Sequence, residues 1–186
     1  MTIAAAEQTR TTWKIDPTHS SVEFAVRHLM ITTVRGRFTG VQGTVVNDGT
    51  DPAKSAVEVV IDAATIDTRE PQRDAHLRSA DFFDVEKFPV LTFRSTGLDG
   101  RPGERFKLSG ELTIHGVTRS VVLDVESEGQ VKDAWGGLRS GFTATTKIKR
   151  SEFGLTWNQL LEAGGVTVSD DVKISLDVQL VSTGVQ

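Results

Sequence analysis

Cysteine and tyrosine are both missing from this 186-residue chain. Without cysteine there is no disulfide framework and no thiolate zinc site. A basic excess is missing as well. The 21 Lys and Arg stand against 25 Asp and Glu, a formal net charge of -4, so the composition carries no nucleic-acid footprint and no polybasic membrane signature. No apolar run approaches the roughly 18 residues of a membrane-crossing helix. The opening MTIAAAEQTRTT lacks the basic start and the apolar run of a secretory signal. The expectation is a cytoplasmic chain with residues 1–12 as a flexible N-terminal tail and one domain over residues 13–182.

Enzymatic machinery is equally sparse. His19, His28, His76 and His115 have no H-x-x-x-H or H-E-x-x-H spacing, and the glycines lie within strands and turns, not between a strand and a helix, so no phosphate-binding fingerprint is present. His19 stands beside Ser20 with Asp16 upstream, but no nucleophile elbow accompanies them. Asp81, Asp84 and Glu86 surround Lys87 in a way that suits a solvated corner better than an acid and base pair. The reading is no catalytic residue, no metal and no cofactor.

What the chain has in quantity is alternation. A first short strand is expected at Trp13–Asp16, followed by turn chemistry at Asp16-Pro17-Thr18. Val22, Phe24 and Val26 then alternate with Glu23, Ala25 and Arg27. From Thr33 to Asp48 the parity of the apolar residues slips between Phe38 and Val41, which one bulge would explain. Val57, Val59 and Ile61 mark the next strand. His76 to Thr96 interrupts the series: a short solvent-edge helix with Asp74 and Arg78 pairing four apart, an aromatic plug at Phe82 and Phe83, and a strand through Leu91 and Phe93. Leu98–Gly103 reads as a turn. His115-Gly116 reads as a two-residue hairpin joining the strand of Phe106, Leu108, Leu112 and Ile114 to that of Val121, Leu123 and Val125. Phe142 and Ala144 lie in a further strand, and a helical turn is expected at Asn158–Ala163. Val172, Ile174, Leu176, Val178 and Leu180 close the series at strict period two.

About eight amphipathic strands joined by short turns, with glycines inside them and no βαβ rhythm, imply an antiparallel meander; closure into a barrel removes its edges. Such an interior can be packed or can hold one ligand.

Five ordered segments then carry a resemblance: IDPTHSSVEFAVRHL from Ile15, VRGRF from Val34, HLRSADFFDVEKFPVLTF from His76, GELTIHGVTRSVVLDV from Gly110 and KRSEFGLTWN from Lys149. Over Trp13 to about Val181 the chain resembles the YceI-like family, a lipocalin-like group of polyisoprenoid-binding proteins. The resemblance implies an extended eight-stranded antiparallel β-barrel with one or two short helices. It also implies an elongated apolar cavity for an isoprenoid lipid, such as a quinone tail or a polyprenyl compound, and a homodimer. Many members carry a secretory signal, and in this the chain departs from them.

The resulting expectation is a non-enzymatic carrier or store for a long isoprenoid lipid. Strand parity assigns the cavity lining to Val22, Phe24, Val26, Phe38, Val59, Ile61, Phe93, Leu112, Ile114, Leu123, Phe142, Ile174 and Leu176. His28, His76 and Trp157 are assigned to the mouth or to contacts with a head group. Two other classes stay open: an enzyme acting on a bound hydrophobe at the mouth with His28 or His76 as acid or base, and a packed barrel serving as a stress-linked interaction module.

Overall fold

Residues 10–101, 103–162 and 164–185 are described by the computed structural model. The alternating stretches form β1 (Arg10–Ile15), β2 (Ser21–His28), β3 (Thr32–Phe38), β4 (Val41–Asp48), β5 (Ala56–Asp62) and β6 (Ile66–Asp67). Helix α1 (Pro71–Arg78) follows, and then the longer β7 (Val90–Gly100), β8 (Arg105–Ile114), β9 (Val117–Lys132), β10 (Leu138–Lys149) and β11 (Asp171–Val185).

The pairing closes on itself. β1, β4, β5, β7, β8, β9, β10 and β11 form a ring, because β11 pairs with β10 along one edge and with β1 along the other. β11 is long enough to serve two partners: Leu180–Val185 face β1, while Lys173–Asp177 face β2. In the same way β2 pairs with β3 and β3 with β6, extending the ladder that β1, β4 and β5 begin. The molecule is therefore an eight-stranded antiparallel barrel of lipocalin type, in which the first three long strands are each broken once.

Those breaks have identifiable causes. The first lies at Asp16–Ser20, where the Asp16 carboxylate accepts from Thr18, His19, Arg139 and Gln179 and turns the chain out of line. The second is at Thr39-Gly40, where a Cβ on Gly40 would lie 2.7 Å from Thr65 Cγ2. The third is the 3₁₀ turn Ala63–Thr65, capped by the Asp62 side chain on the Ala64 N–H at 2.9 Å. Thr65 Oγ1 accepts from the Gly40 N–H at 2.9 Å and so binds the second break to the third. The parity slip between Phe38 and Val41 is thus a break between two strands, and not one bulge inside a single strand.

Other local expectations change too. The first strand starts at Arg10, so residues 10–12 belong to the sheet; residues 1–9 lie outside the described residues. β7 runs on to Gly100, which shortens the turn expected from Leu98. His115 (φ 52°) and Gly116 (φ 73°) make the two-residue hairpin, both with the positive φ that a type I′ turn needs. Asp74 does not pair with Arg78. It is buried and accepts from the Thr68 N–H at 2.9 Å and from the Thr68 hydroxyl, while Arg78 donates to the carbonyls of Ala64 and Ile66. No helical turn forms at Asn158–Glu162, and Ala163 is outside the described residues; the helical turn lies earlier, at Arg150–Phe153.

The strand ends define two rims. One is built from the β2–β3 turn, the β8–β9 hairpin, the segment 68–89 containing α1, and the segment 150–170. The opposite rim holds the β4–β5, β7–β8 and β9–β10 turns. Among the described residues no helix is long and apolar enough to cross a membrane.

Candidate functional site

The inward faces of the ring do not meet in the middle. They enclose a cavity of about 810 Å³ whose lining is overwhelmingly apolar. This explains a feature of the burial pattern: Val22, Phe24, Val59, Ile61, Phe142 and Leu176 point inward yet are only half-buried, since one side of each borders open space. The strand lengths, 10 residues in β8 and 12 in β10, set the height. At ~3.3 Å rise per residue and ~40° tilt they make a wall about 25–30 Å tall.

All thirteen side chains assigned by parity stand on this wall. Phe38, Phe93, Leu112, Ile114 and Leu123 are also buried in the packed layer; Val26 and Ile174 are half-buried. Trp13, Ile15, Leu91, Phe106, Leu108, Val125, Val178 and Leu180 belong to the wall as well. Their parity matches that of their neighbours, so the same period-two signal would have found them. Leu77, Phe82, Phe83 and Leu155 carry no such signal, because they reach the cavity from the helix and the irregular segments.

His28, His76 and Trp157 are brought to the first rim. Helix α1 is placed there by its N-terminus, where Glu70 accepts from the backbone N–H groups of Gln72 and Arg73 and Pro71 opens the helix. The following corner folds back through the Phe83 N–H to the Leu77 carbonyl and the Val85 N–H to that of Arg78. Its two rings diverge as adjacent residues must. Phe83 packs edge-on against Phe38 with centroids 5.7 Å apart, while Phe82 packs on Trp157 at 5.2 Å and on His76 at 5.1 Å. His76 also meets Trp157 edge-on at 4.8 Å, and its Nε2 lies 2.8 Å from the Asp81 carboxylate. This cluster joins α1 to the 150–168 segment across the rim.

That second segment hangs on Arg150, which is only 7% exposed. Its guanidinium donates to the carbonyls of Ser169, Leu155, Trp157 and Val168. Burial pulls the Arg150 pKa below its ordinary value, against the opposing effect of the nearby Asp170 carboxylate. Asn158 adds a second tie, donating to the Val168 carbonyl and accepting from its N–H.

Polarity along the lining is uneven. At the first rim it includes His28, Thr68, Arg73, His76 and Arg150; at the opposite rim it is neutral, with Asn47, Ser55, Ser127, Gln130 and Ser140. Arg73 is held by Nε on the Thr68 hydroxyl at 2.7 Å and by a second nitrogen on the Thr68 carbonyl at 2.8 Å. No triad forms around His19. Its ring bonds Asp16 and Thr18 on the surface, while Ser20 Oγ bonds the backbone of Gln179. Thr18, then His19, hold the Asp16 carboxyl well below the usual carboxylate range. Among the described residues no group of three or more His, Asp or Glu is arranged to hold a metal ion.

Residues 13–180 match the model of the YceI-like domain family. The chain belongs to the YceI-like family. A UPF0312 protein of Serratia proteamaculans is 40% identical over 158 residues, covering 84% of this chain and 82% of that protein. The crystal structure of a Campylobacter jejuni YCEI protein is 33% identical with a TM-score of 0.70, covering 82% of this chain and 87% of that one. A Saccharophagus degradans structure described as a polyisoprenoid binding domain shares the fold at 18% identity, with a TM-score of 0.65 and coverage of 90% and 97%.

Proposed function

We propose that this YceI-like barrel is a non-enzymatic carrier or store for a long-chain isoprenoid lipid. The observation that carries the reading is the cavity: about 810 Å³, running the height of a closed barrel, with a wall made almost entirely of aliphatic and phenyl groups. Such a space is too large for the filled interior of a packed barrel, and its length is lined chiefly by apolar side chains. Burying a five-carbon unit is worth ~4 kcal/mol gross at ~0.8 kcal/mol per carbon, so a few units hold a chain against ordering and association costs. The polyisoprenoid-binding description of the Saccharophagus degradans relative agrees with this ligand class. The polar head lies at the rim of His28, His76 and Trp157, where Arg73 and Arg150 also line the cavity, and the tail runs toward the neutral opposite rim.

Native mass spectrometry and lipid extraction of the purified protein test this. An isoprenoid should copurify, and added quinones or polyprenols should raise the unfolding temperature. A barrel that carries no lipid and whose unfolding does not respond to these compounds refutes the reading. One observation favours a second reading, an enzyme acting on the bound hydrophobe: His76 and Asp81 form an ordered pair 2.8 Å apart beside the cavity. Chemical change in a bound quinone or polyprenol that disappears in His76→Gln would establish it.

A further inference from the structure

The β2–β3 turn departs from what a tight turn ordinarily contains. Leu29 (φ 49°) and Met30 (φ 59°) both adopt the left-handed backbone that asparagine and glycine occupy at low cost. Two large apolar residues are held there in strain, and strain of this kind collects at functional positions. The turn turns its side chains outward: Met30 is 53% and Ile31 73% exposed. It is also braced. The Leu29 N–H donates to the Thr167 carbonyl at 2.8 Å, and Arg27 donates to the Met30 carbonyl at 2.9 Å. Thr167 in turn donates to the Gln159 carbonyl, which places Leu160, 86% exposed, on the same rim.

Charge along the two strands that carry this apolar tip is one-sided. Between Glu23 and Asp48 the sequence has no acidic residue, but it has Arg27, Arg35 and Arg37. Arg27 and Arg35 lie on the outer face of the β2–β3 ladder, diagonal to each other in register. Thr68 reaches the same strand, since a Cβ on Gly36 would lie 2.8 Å from its Cγ2, and this brings the exposed Arg69 alongside. Arg27, Arg35, Arg69 and Arg73 have no ion-pair partner among the described residues. The whole-chain charge of -4 conceals this limb. The opposite rim also exposes an aromatic, Trp135, but there acidic and basic groups are paired, Asp48 with Arg10, Asp51 with Lys54 and Glu126 with Arg105.

We propose that Leu29, Met30, Ile31 and Leu160 form a docking face for an anionic phospholipid bilayer, with the apolar tip entering the interface and Arg27, Arg35 and Arg69 meeting the headgroups. An apolar wedge flanked by arginine is the chemistry of a peripheral membrane contact. The face adjoins the rim that carries His28, so docking sets the charged end of the cavity against the lipid from which a chain is drawn. In this last respect the proposal rests on the carrier reading.

The test is flotation of the full chain with vesicles of phosphatidylcholine alone or with about one third phosphatidylglycerol, using wild type, Ile31→Glu, Leu160→Glu and Trp135→Glu. None of these residues lines the cavity. Wild type should float with the anionic vesicles and be released by added salt. Ile31→Glu and Leu160→Glu should each weaken partition about tenfold or more, and Trp135→Glu should leave it unchanged. Failure of wild type to float, or equal flotation of the tip variants, overturns the proposal; so does loss confined to Trp135→Glu. Self-association of wild type that the tip variants abolish, without vesicle binding, overturns it in favour of a second copy of the chain. Native mass spectrometry of the same samples keeps the two ideas apart. A protein that retains isoprenoid but does not float loses only the docking face, and one that floats without ever holding isoprenoid loses only the carrier reading.

Discussion

Arg150→Met removes the side chain whose guanidinium bonds carbonyls on both limbs of the 150–170 segment. Two of its four carbonyl partners, on Ser169 and Leu155, are reached through buried hydrogen bonds of 2.9 and 2.8 Å; the bonds to Trp157 and Val168 are partly accessible to water. Each buried acceptor left without a donor costs ~1–3 kcal/mol. The two partly accessible carbonyls recover water and add little. The sum is about 4 kcal/mol, within the ~3–5 kcal/mol seen when one partner of a buried charged network is deleted. With a urea slope of ~2 kcal/mol per molar, the unfolding midpoint should fall by about 2 M. Arg150→Lys keeps the charge but replaces a planar fork with a point donor, so it should recover no more than about half of that loss. Equilibrium urea unfolding followed by tryptophan fluorescence reads both, and hydrogen exchange over residues 154–168 should accelerate in Arg150→Met first. A fall below about 1 kcal/mol, or full recovery by lysine, would refute the claim that the guanidinium fork holds the segment.

Two further outcomes follow from the geometry. Thr50, with the N–H groups of Asp51 and Thr50, holds the Asp48 carboxyl at about 2, below its ordinary 3.8. A folded pKa below the unfolded one gives a contribution that is complete above the ordinary carboxylate range and is lost as pH falls toward about 2. Urea midpoints measured downward from about pH 6 should therefore drop over that window, less steeply in Asp48→Asn; parallel curves for the two proteins contradict the assignment. Gly110→Ala places a Cβ 2.4 Å from the Phe93 ring and 2.7 Å from the Arg94 carbonyl oxygen. The ring can swing into the cavity but the carbonyl cannot, so the cost is ~1–3 kcal/mol, or a melting temperature lower by roughly 2–12 °C. Gly97→Ala meets nothing within 4 Å and is the control; an equal fall there would point to strand propensity and not to crowding.

Most of the barrel could be read from the chain because strand alternation is a local signal. Val22, Phe24 and Val26, or Ile174, Leu176 and Val178, declare their face without reference to any distant residue, and His115-Gly116 sets its own hairpin. What escaped depends on distant partners. Asp74 looked like half of a helical ion pair with Arg78, but Thr68 outcompetes a solvated arginine for it inside the fold. Arg150 gave no sign that carbonyls as far along the chain as Ser169 would surround it, and the helical turn expected at Asn158 gives way to the bonds of Asn158 with Val168. The same limit applies to the lining. Strand residues were accessible to parity, whereas Phe82, Phe83 and Leu155 enter the cavity from irregular backbone whose path no period describes.

The double engagement of β11 has a consequence for how the protein is made. Asp171–Val185 is the last strand, yet it contributes one side of the seam to β10 and the other to both β1 and β2. Until those residues leave the ribosome, the preceding strands can only form an open curved sheet with bare hydrogen-bonding margins and an uncovered greasy concave face. Closure joins residues 148 to 174 positions apart, a slow kind of contact to establish. The nascent chain therefore passes through an interval in which the apolar wall of the later cavity is an exposed surface, the kind of surface through which unfinished β-sheets aggregate.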